Sequence, residues 1–105
     1  MVIDFRKIAV KTEVEGGVRM VDVAKDLGNL IYRTTPDIGM FEFSREIYHK
    51  GEVDVSHDRM VEIIETVKVS EFTALVRTTL VDFLTQKLPE AKKLEKKETN
   101  EKDKG

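Results

Sequence analysis

Apolar and polar positions alternate from Lys7 to Val14. Ile8, Val10, Thr12 and Val14 share one face, and Lys7, Ala9, Lys11 and Glu13 share the other. A period of two is the pattern of a strand with one face buried. Gly16-Gly17 marks a turn, and Val18-Arg19-Met20-Val21 follows as the second strand of a hairpin. A two-residue Gly-Gly loop would set Val14 beside Arg19 and mix the apolar and charged faces. A three-residue loop, Glu15-Gly16-Gly17, pairs Val14 with Val18 and Thr12 with Met20, which keeps one apolar face. The three-residue loop is therefore expected, with a glycine in the left-handed position.

The period then lengthens to that of a helix. Val23, Leu27, Leu30 and Ile31 are spaced for a first helix, capped by Asp22 or Asp26 and ending near Arg33. Gly28 inside it costs about 1 kcal/mol relative to Ala. A second helix occupies Thr35–Gly51, with Thr35 as N-cap, Pro36 at the first helical position, Asp37 at the positive end and Gly51 as the stop. At roughly 100° per residue, its apolar and small side chains (Ile38, Met40, Phe41, Phe43, Ser44, Ile47, Tyr48) sweep roughly 220°. A core-facing stripe needs little more than about 100°. The arc divides into an Ile38/Phe41/Tyr48 side and a Met40/Phe43/Ile47 side, each needing its own cover from the domain or from a partner.

Glu52–Val55 alternates and is expected to be a short extended segment able to reach an edge of the hairpin. Ser56 caps a third helix over 57–67, with Met60, Val61, Ile64 and Val67 inward. Ser70 caps a fourth over 71–88, stopped by Pro89, with Phe72, Leu75, Val76, Leu80 and Phe83 as its core stripe. Ala74, Val81, Leu84 and Leu88 widen that stripe, so the second and fourth helices both carry more apolar surface than a small bundle consumes. The fold class is α+β: an N-terminal β-hairpin, then about four short-to-medium helices, with a short extended segment between the second and third.

Composition narrows the functional classes. The segment 90–105 holds six Lys against four Glu and one Asp, leaving twelve basic and fifteen acidic residues in 1–89, a net charge of −3. One compact domain over 1–89 and a charged, disordered tail over 90–105 follow, since the tail has almost no apolar side chains to offset its ordering entropy. An acidic body argues against binding nucleic acid by general phosphate attraction. The absence of Cys removes disulfides, thiol nucleophiles and thiolate metal sites. No apolar run approaches a membrane span, and the first residues lack the basic start and long apolar segment of a secretion signal. A soluble, cytoplasmic protein is expected.

Candidate chemistry is sparse. His49 and His57 are the only histidines, with Glu46, Asp54 and Asp58 nearby, but a metal site needs three or four converging ligands. His49 near the end of the second helix complements its dipole, and both histidines are expected to be exposed. Glu62/Glu65 and Asp54/Asp58 sit on polar faces or connectors without a nucleophilic companion. Gly16-Gly17 joins two strands and lacks the Gly-Lys-Ser/Thr of a phosphate loop. No catalytic residue, metal ligand or cofactor is assigned. A helix–turn–helix regulator is the alternative, with Arg59, Lys68 and Arg77 available, or Lys7, Lys11 and Arg19 on the hairpin. Glu62 and Glu65 on the third helix would repel phosphate.

The segment AKDLGNLIYRTTPDIGMFEFSREIYHKGEVDVS (24–56) resembles small uncharacterised proteins encoded by bacteriophages and integrated mobile elements. These share a hairpin, a helix like LGNLIY and a DIG…IY..GEV block, and the resemblance spans most of residues 5–85. It implies an accessory or structural role in such an element, in the cytoplasm or in a virion, and carries over no functional residue. Taken with the wide apolar arcs, the expectation is a non-enzymatic interaction or assembly module. Its partner is a protein or a second copy, met through Met40, Phe43 and Ile47 on the second helix and Ala74 and Val81 on the fourth.

Overall fold

A computed structural model describes the backbone of residues 1–104 and the side chains through Glu95. Its elements run β1 (Val2–Asp4), β2 (Ile8–Glu13), β3 (Gly16–Val21), α1 (Ala24–Thr34), α2 (Ile38–Lys50), β4 (Glu52–Asp54), α3 (His57–Lys68) and α4 (Ala74–Lys104). The α+β class and the order hairpin, two helices, short strand, two helices are as the patterning predicts. Strand β1 is an addition. It pairs antiparallel with β4, Ile3 opposite Val53, so the extended segment after α2 meets the N-terminal residues and not the hairpin. Three residues are too few for a visible alternation. Only the partner shows that Ile3 and Phe5, at 4% and 0% exposure, belong to the core.

Helices α1 and α2 pack on each other, as do α3 and α4, and β2 lies on α4. The core collects Phe5, Ile8, Leu27, Ile31, Met40, Ile47, Met60, Ile63, Leu80 and Leu84, each nearly inaccessible to solvent. On α3 the inward set is Met60, Ile63, Ile64 and Val67, with Val61 turned outward. On α4 the buried phase passes through Leu80 and Leu84, while Leu75 is half exposed.

Helix starts shift by a few residues from those expected. Asp37, not Thr35, caps α2: its Oδ2 accepts from the Met40 amide at 2.9 Å, while Thr35 Oγ1 accepts from the Asp37 amide at 3.1 Å. Thr73 takes the expected role of Ser70, accepting from the Val76 amide at 3.3 Å. Ser70 instead closes the turn after α3, donating to the Val67 carbonyl at 2.7 Å. Ser56 caps α3 as expected, accepting from the Arg59 amide at 3.2 Å.

Gly28 serves a purpose that its propensity conceals. A Cβ there would stand 2.9 Å from the Ser44 carbonyl oxygen and 2.9 Å from Tyr48 Cβ. The missing side chain lets α1 and α2 approach closely, so the helical cost of glycine is offset by packing. Beside this contact the Tyr32 and Phe41 rings stack at 4.4 Å. The second side of the wide α2 arc is therefore covered by α1.

Helix α4 continues through Pro89 rather than ending before it. Proline removes the bond to the Thr85 carbonyl and crowds that turn, but Leu84, partly buried Leu88 and buried Ala91 hold the helix against the body on both sides of it. The amide of His57 also donates to Glu95 Oε1 at 3.2 Å. The compact body thus extends beyond residue 89. The charged tail expected to be disordered lies, from Lys96 on, outside the residues whose side chains are described.

Candidate interaction surface

The outer half of the hairpin, from Lys11 to Met20, is a part of the molecule that the core does not absorb. The hairpin register sets Ile8 opposite Val21, Val10 opposite Arg19, Lys11 opposite Val18 and Glu13 opposite Gly16, so the loop is the two residues Val14-Glu15. The expected three-residue loop and the pairings Val14–Val18 and Thr12–Met20 are not formed. The reason is parity. Ile8 and Val10, at 1% and 2% exposure, face the body with Val21 opposite. A strand that turns Val21 inward turns Met20 and Val18 outward. Gly16 and Gly17, with φ of 106° and 71°, supply the left-handed geometry as the chain re-enters the second strand. Thr12 Oγ1 donates to the Gly17 carbonyl at 2.6 Å and ties the far half together.

Beyond Val10 the hairpin runs clear of the body. Every residue from Lys11 to Met20 is exposed. Val14 at the tip is 92% exposed, and Val18 and Met20, on one face of β3, are 67% and 69% exposed. Strand β3 packs chiefly against β2, so its outer edge faces solvent. The arm is anchored at its root, where the Val23 amide donates to the Phe5 carbonyl at 2.9 Å.

The residues expected to form an interface are distributed differently. Met40, Phe43 and Ile47, at 2%, 5% and 0% exposure, belong to the chain's own core, which corrects their assignment to a contact surface. Ala74 is exposed and Val81 half-buried. Of the wide α2 arc, only Ile38 is left largely exposed, at 79%. The periodicity reported the width of the arc correctly. It could not report that α1 covers one side while the rest of the domain covers the other.

Candidate chemistry stays dispersed. His49 is exposed with its ring edge-on to Tyr48, and His57 Nδ1 lies 3.5 Å from its neighbour Asp58. Asp54 is taken up by the Met1 amino group at 2.6 Å. Among the described residues no three His, Asp or Glu side chains come together as a metal site would need. The cations named for a DNA-reading helix are engaged within the domain. Arg59 lies over the Phe43 ring at 4.5 Å and donates to the Gly39 carbonyl at 3.2 Å. Arg77 donates to the Ser70 carbonyl at 3.3 Å, and Lys68 is 3.6 Å from Glu65. Asp58, Glu62 and Glu65 remain exposed on α3. That surface repels phosphate.

One perturbed ion pair lies near the root of the arm. Arg6 Nε and Nη2 donate to Asp4 Oδ1 and Oδ2 at 3.0 and 3.2 Å, and the Arg6 amide adds a third bond at 3.0 Å. The guanidinium bonds, followed by the amide bond, hold the Asp4 carboxyl below its ordinary range, and the same partner raises Arg6. The pair is a local clamp between β1 and the hairpin. A concavity of about 680 Å³ lies between α1, the base of β3 and the α3–α4 junction. Its apolar wall is Leu30, Phe72 and Val76, and its rim carries Asp26, Arg33 and Glu71. This is an open groove with mixed charge.

No protein-family model, curated protein or solved structure matches the chain. No described helix is long and apolar enough to cross a membrane.

Proposed function

We propose that this chain is a non-enzymatic protein-interaction module whose contact element is the β2–β3 arm. One observation carries the reading: Lys11–Met20 is held out from the body with Val14, Val18 and Met20 uncovered. An isolated two-stranded ribbon is marginal in water, and at roughly 25 cal/mol per Å² each of these side chains favours a surface that covers it. A protruding ribbon with apolar side chains and a free edge suits strand pairing or insertion into a neighbour. The sequence resemblance to phage and mobile-element proteins supports an assembly or accessory role for that contact. The self-association expected through α2 and α4 loses its basis, because the α2 residues it used are internal.

A photo-crosslinking amino acid placed at Met20 in the living cell tests the reading. Crosslinked protein adducts are expected from position 20 and not from Lys50, also an exposed site, at the end of α2. Equal labelling at the two positions, or none at either, would remove the arm as the contact element.

A further inference from the structure

We infer that the groove between α1, the root of β3 and the α3–α4 junction is a second contact site, and that it takes a short basic segment of a partner protein, an apolar side chain flanked by Lys or Arg. The inference rests on the chain being an interaction module but not on the arm, and it assigns a partner chemistry that the arm leaves open.

The shape of the groove comes first. One wall is a single face of α1, where Asp26, Leu30 and Arg33 stand at helical spacing. Leu30 and Val23 are themselves core residues, so the floor is apolar and held in place by the domain. Across from it stand Phe72 and Val76, both only partly buried. At the lip Val69 is 85% exposed. Leu30 and Val69 also border a second hollow of about 260 Å³, so the apolar surface continues along α1 past the first concavity. A volume of about 680 Å³ lies within the range of about 300–1,000 Å³ usual for binding clefts. Uncovered apolar surface with a charged rim favours a partner that covers both.

The charge of the rim selects the occupant. Asp22, Asp26 and Glu71 line the groove against Arg33 alone. Asp22 is partly engaged, its Oδ1 accepting from the Ala24 amide at 3.0 Å. Asp26, Glu71 and Arg33 take part in no ion pair among the described residues. One free carboxylate therefore stands on α1 and another on the α3–α4 junction, with apolar side chains between them. Cations on either side of an apolar anchor meet both carboxylates, whereas an acidic segment is repelled by both. Phosphate is repelled in the same way, which disfavours a nucleic-acid occupant. The chain's own residues 96–105 supply Lys but no apolar side chain, so they offer nothing to the floor.

Short capped peptides that alternate Leu with Lys, or Leu with Glu, test this by amide NMR titration of the full chain. The Lys peptide is expected to bind about tenfold more tightly than the Glu peptide, the sum of several modest exposed pairs. The amides of Leu30, Arg33, Val69 and Phe72 are expected to move most. Asp26→Lys with Glu71→Lys is expected to reverse the preference, and Arg33→Glu to strengthen it. Asp58→Lys with Glu62→Lys changes the net charge equally on α3, outside both hollows, and is expected to leave the preference in place. All five positions are exposed, so the variants keep the fold, which unchanged far-UV circular dichroism would show.

Equal affinity for the two peptides, or the same loss of preference from both double variants, would overturn the basic occupant. Shifts confined to the arm would overturn the groove as the site. Amide signals of Leu30 and Phe72 that move with protein concentration alone would place a second copy there instead. Met20 crosslinks in the cell without a peptide preference would remove the groove and leave the arm as the contact element. Peptide binding at the groove without Met20 crosslinks would remove the arm and leave the groove.

Discussion

Replacing Gly28 by Ala tests whether the α1–α2 contact, and not helix propensity, governs that position. An ordinary helical glycine is improved by Ala by about 1 kcal/mol. Here the new methyl would lie 2.9 Å from the Ser44 carbonyl oxygen and from Tyr48 Cβ. Both atoms are fixed by the α2 backbone, so no rotamer change relieves the clash. Reaching the roughly 3.5 Å of comfortable contact requires the helices to part by about 0.6 Å. Such overpacking costs about 1–3 kcal/mol, and the neighbouring Tyr32–Phe41 stack at 4.4 Å would move with it. Set against the propensity gain, the net expectation is a loss of about 1 kcal/mol, or a fall in Tm of about 4–8 °C for a domain this size. Gly28→Val, larger and β-branched, should lose about 3 kcal/mol or more. Urea unfolding followed by far-UV circular dichroism would measure both, with m unchanged if only stability has moved. A Gly28→Ala protein more stable than its parent by about 1 kcal/mol would refute the close-packing argument.

Three further outcomes follow from the packing and the charges. Leu84→Ala, at a site with 0% exposure, is expected to lose about 2–5 kcal/mol. Leu75→Ala, 45% exposed, should lose under about 1 kcal/mol in the same unfolding assay; a reversed order would place the wrong face of α4 inward. Pro89→Ala restores a donor to a continuous helix and should stabilise the protein by about 1–3 kcal/mol, with a gain in ellipticity. No change would show that α4 does not run through this position. The Asp4 carboxyl is held below its ordinary value by Arg6, so its stabilisation is present above the unfolded carboxylate value of about 3.9 and is lost as pH falls through the lower folded value. Asp4→Asn should therefore be less stable than its parent at neutral pH, with the difference closing on the acid side. A gap that widens there would contradict the Arg6 clamp.

How much was legible in the sequence differs from element to element. Alternation and helical spacing identified the hairpin, four helices and the short extended segment, because backbone period and side-chain burial are local consequences of the same pattern. Ser56 at the start of α3 and Gly51 at the end of α2 were legible for a similar reason. The Ser56 side chain bonds within its own first turn, and the amide of Gly51 closes on the Ile47 carbonyl. Strand β1 was not legible, since three residues show no period and their partner lies some fifty positions away. The candidate contact surface was misplaced because the width of an apolar arc says that two neighbours are needed without saying whose they are.

What the sequence determined alone is thus the hairpin, the four helices and the short extended segment between the second and third, the wide apolar arc on α2 and the lack of thiol chemistry. The tertiary structure decided which surface is spent internally. It used Gly28 to bring α1 over the Phe41 side of α2 and buried Met40, Phe43 and Ile47 on the other. It also turned Val18 and Met20 outward by committing Val21 to the face of Ile8 and Val10. Periodicity reports the direction of a side chain relative to its own backbone. Burial depends on what the rest of the chain places in front of it.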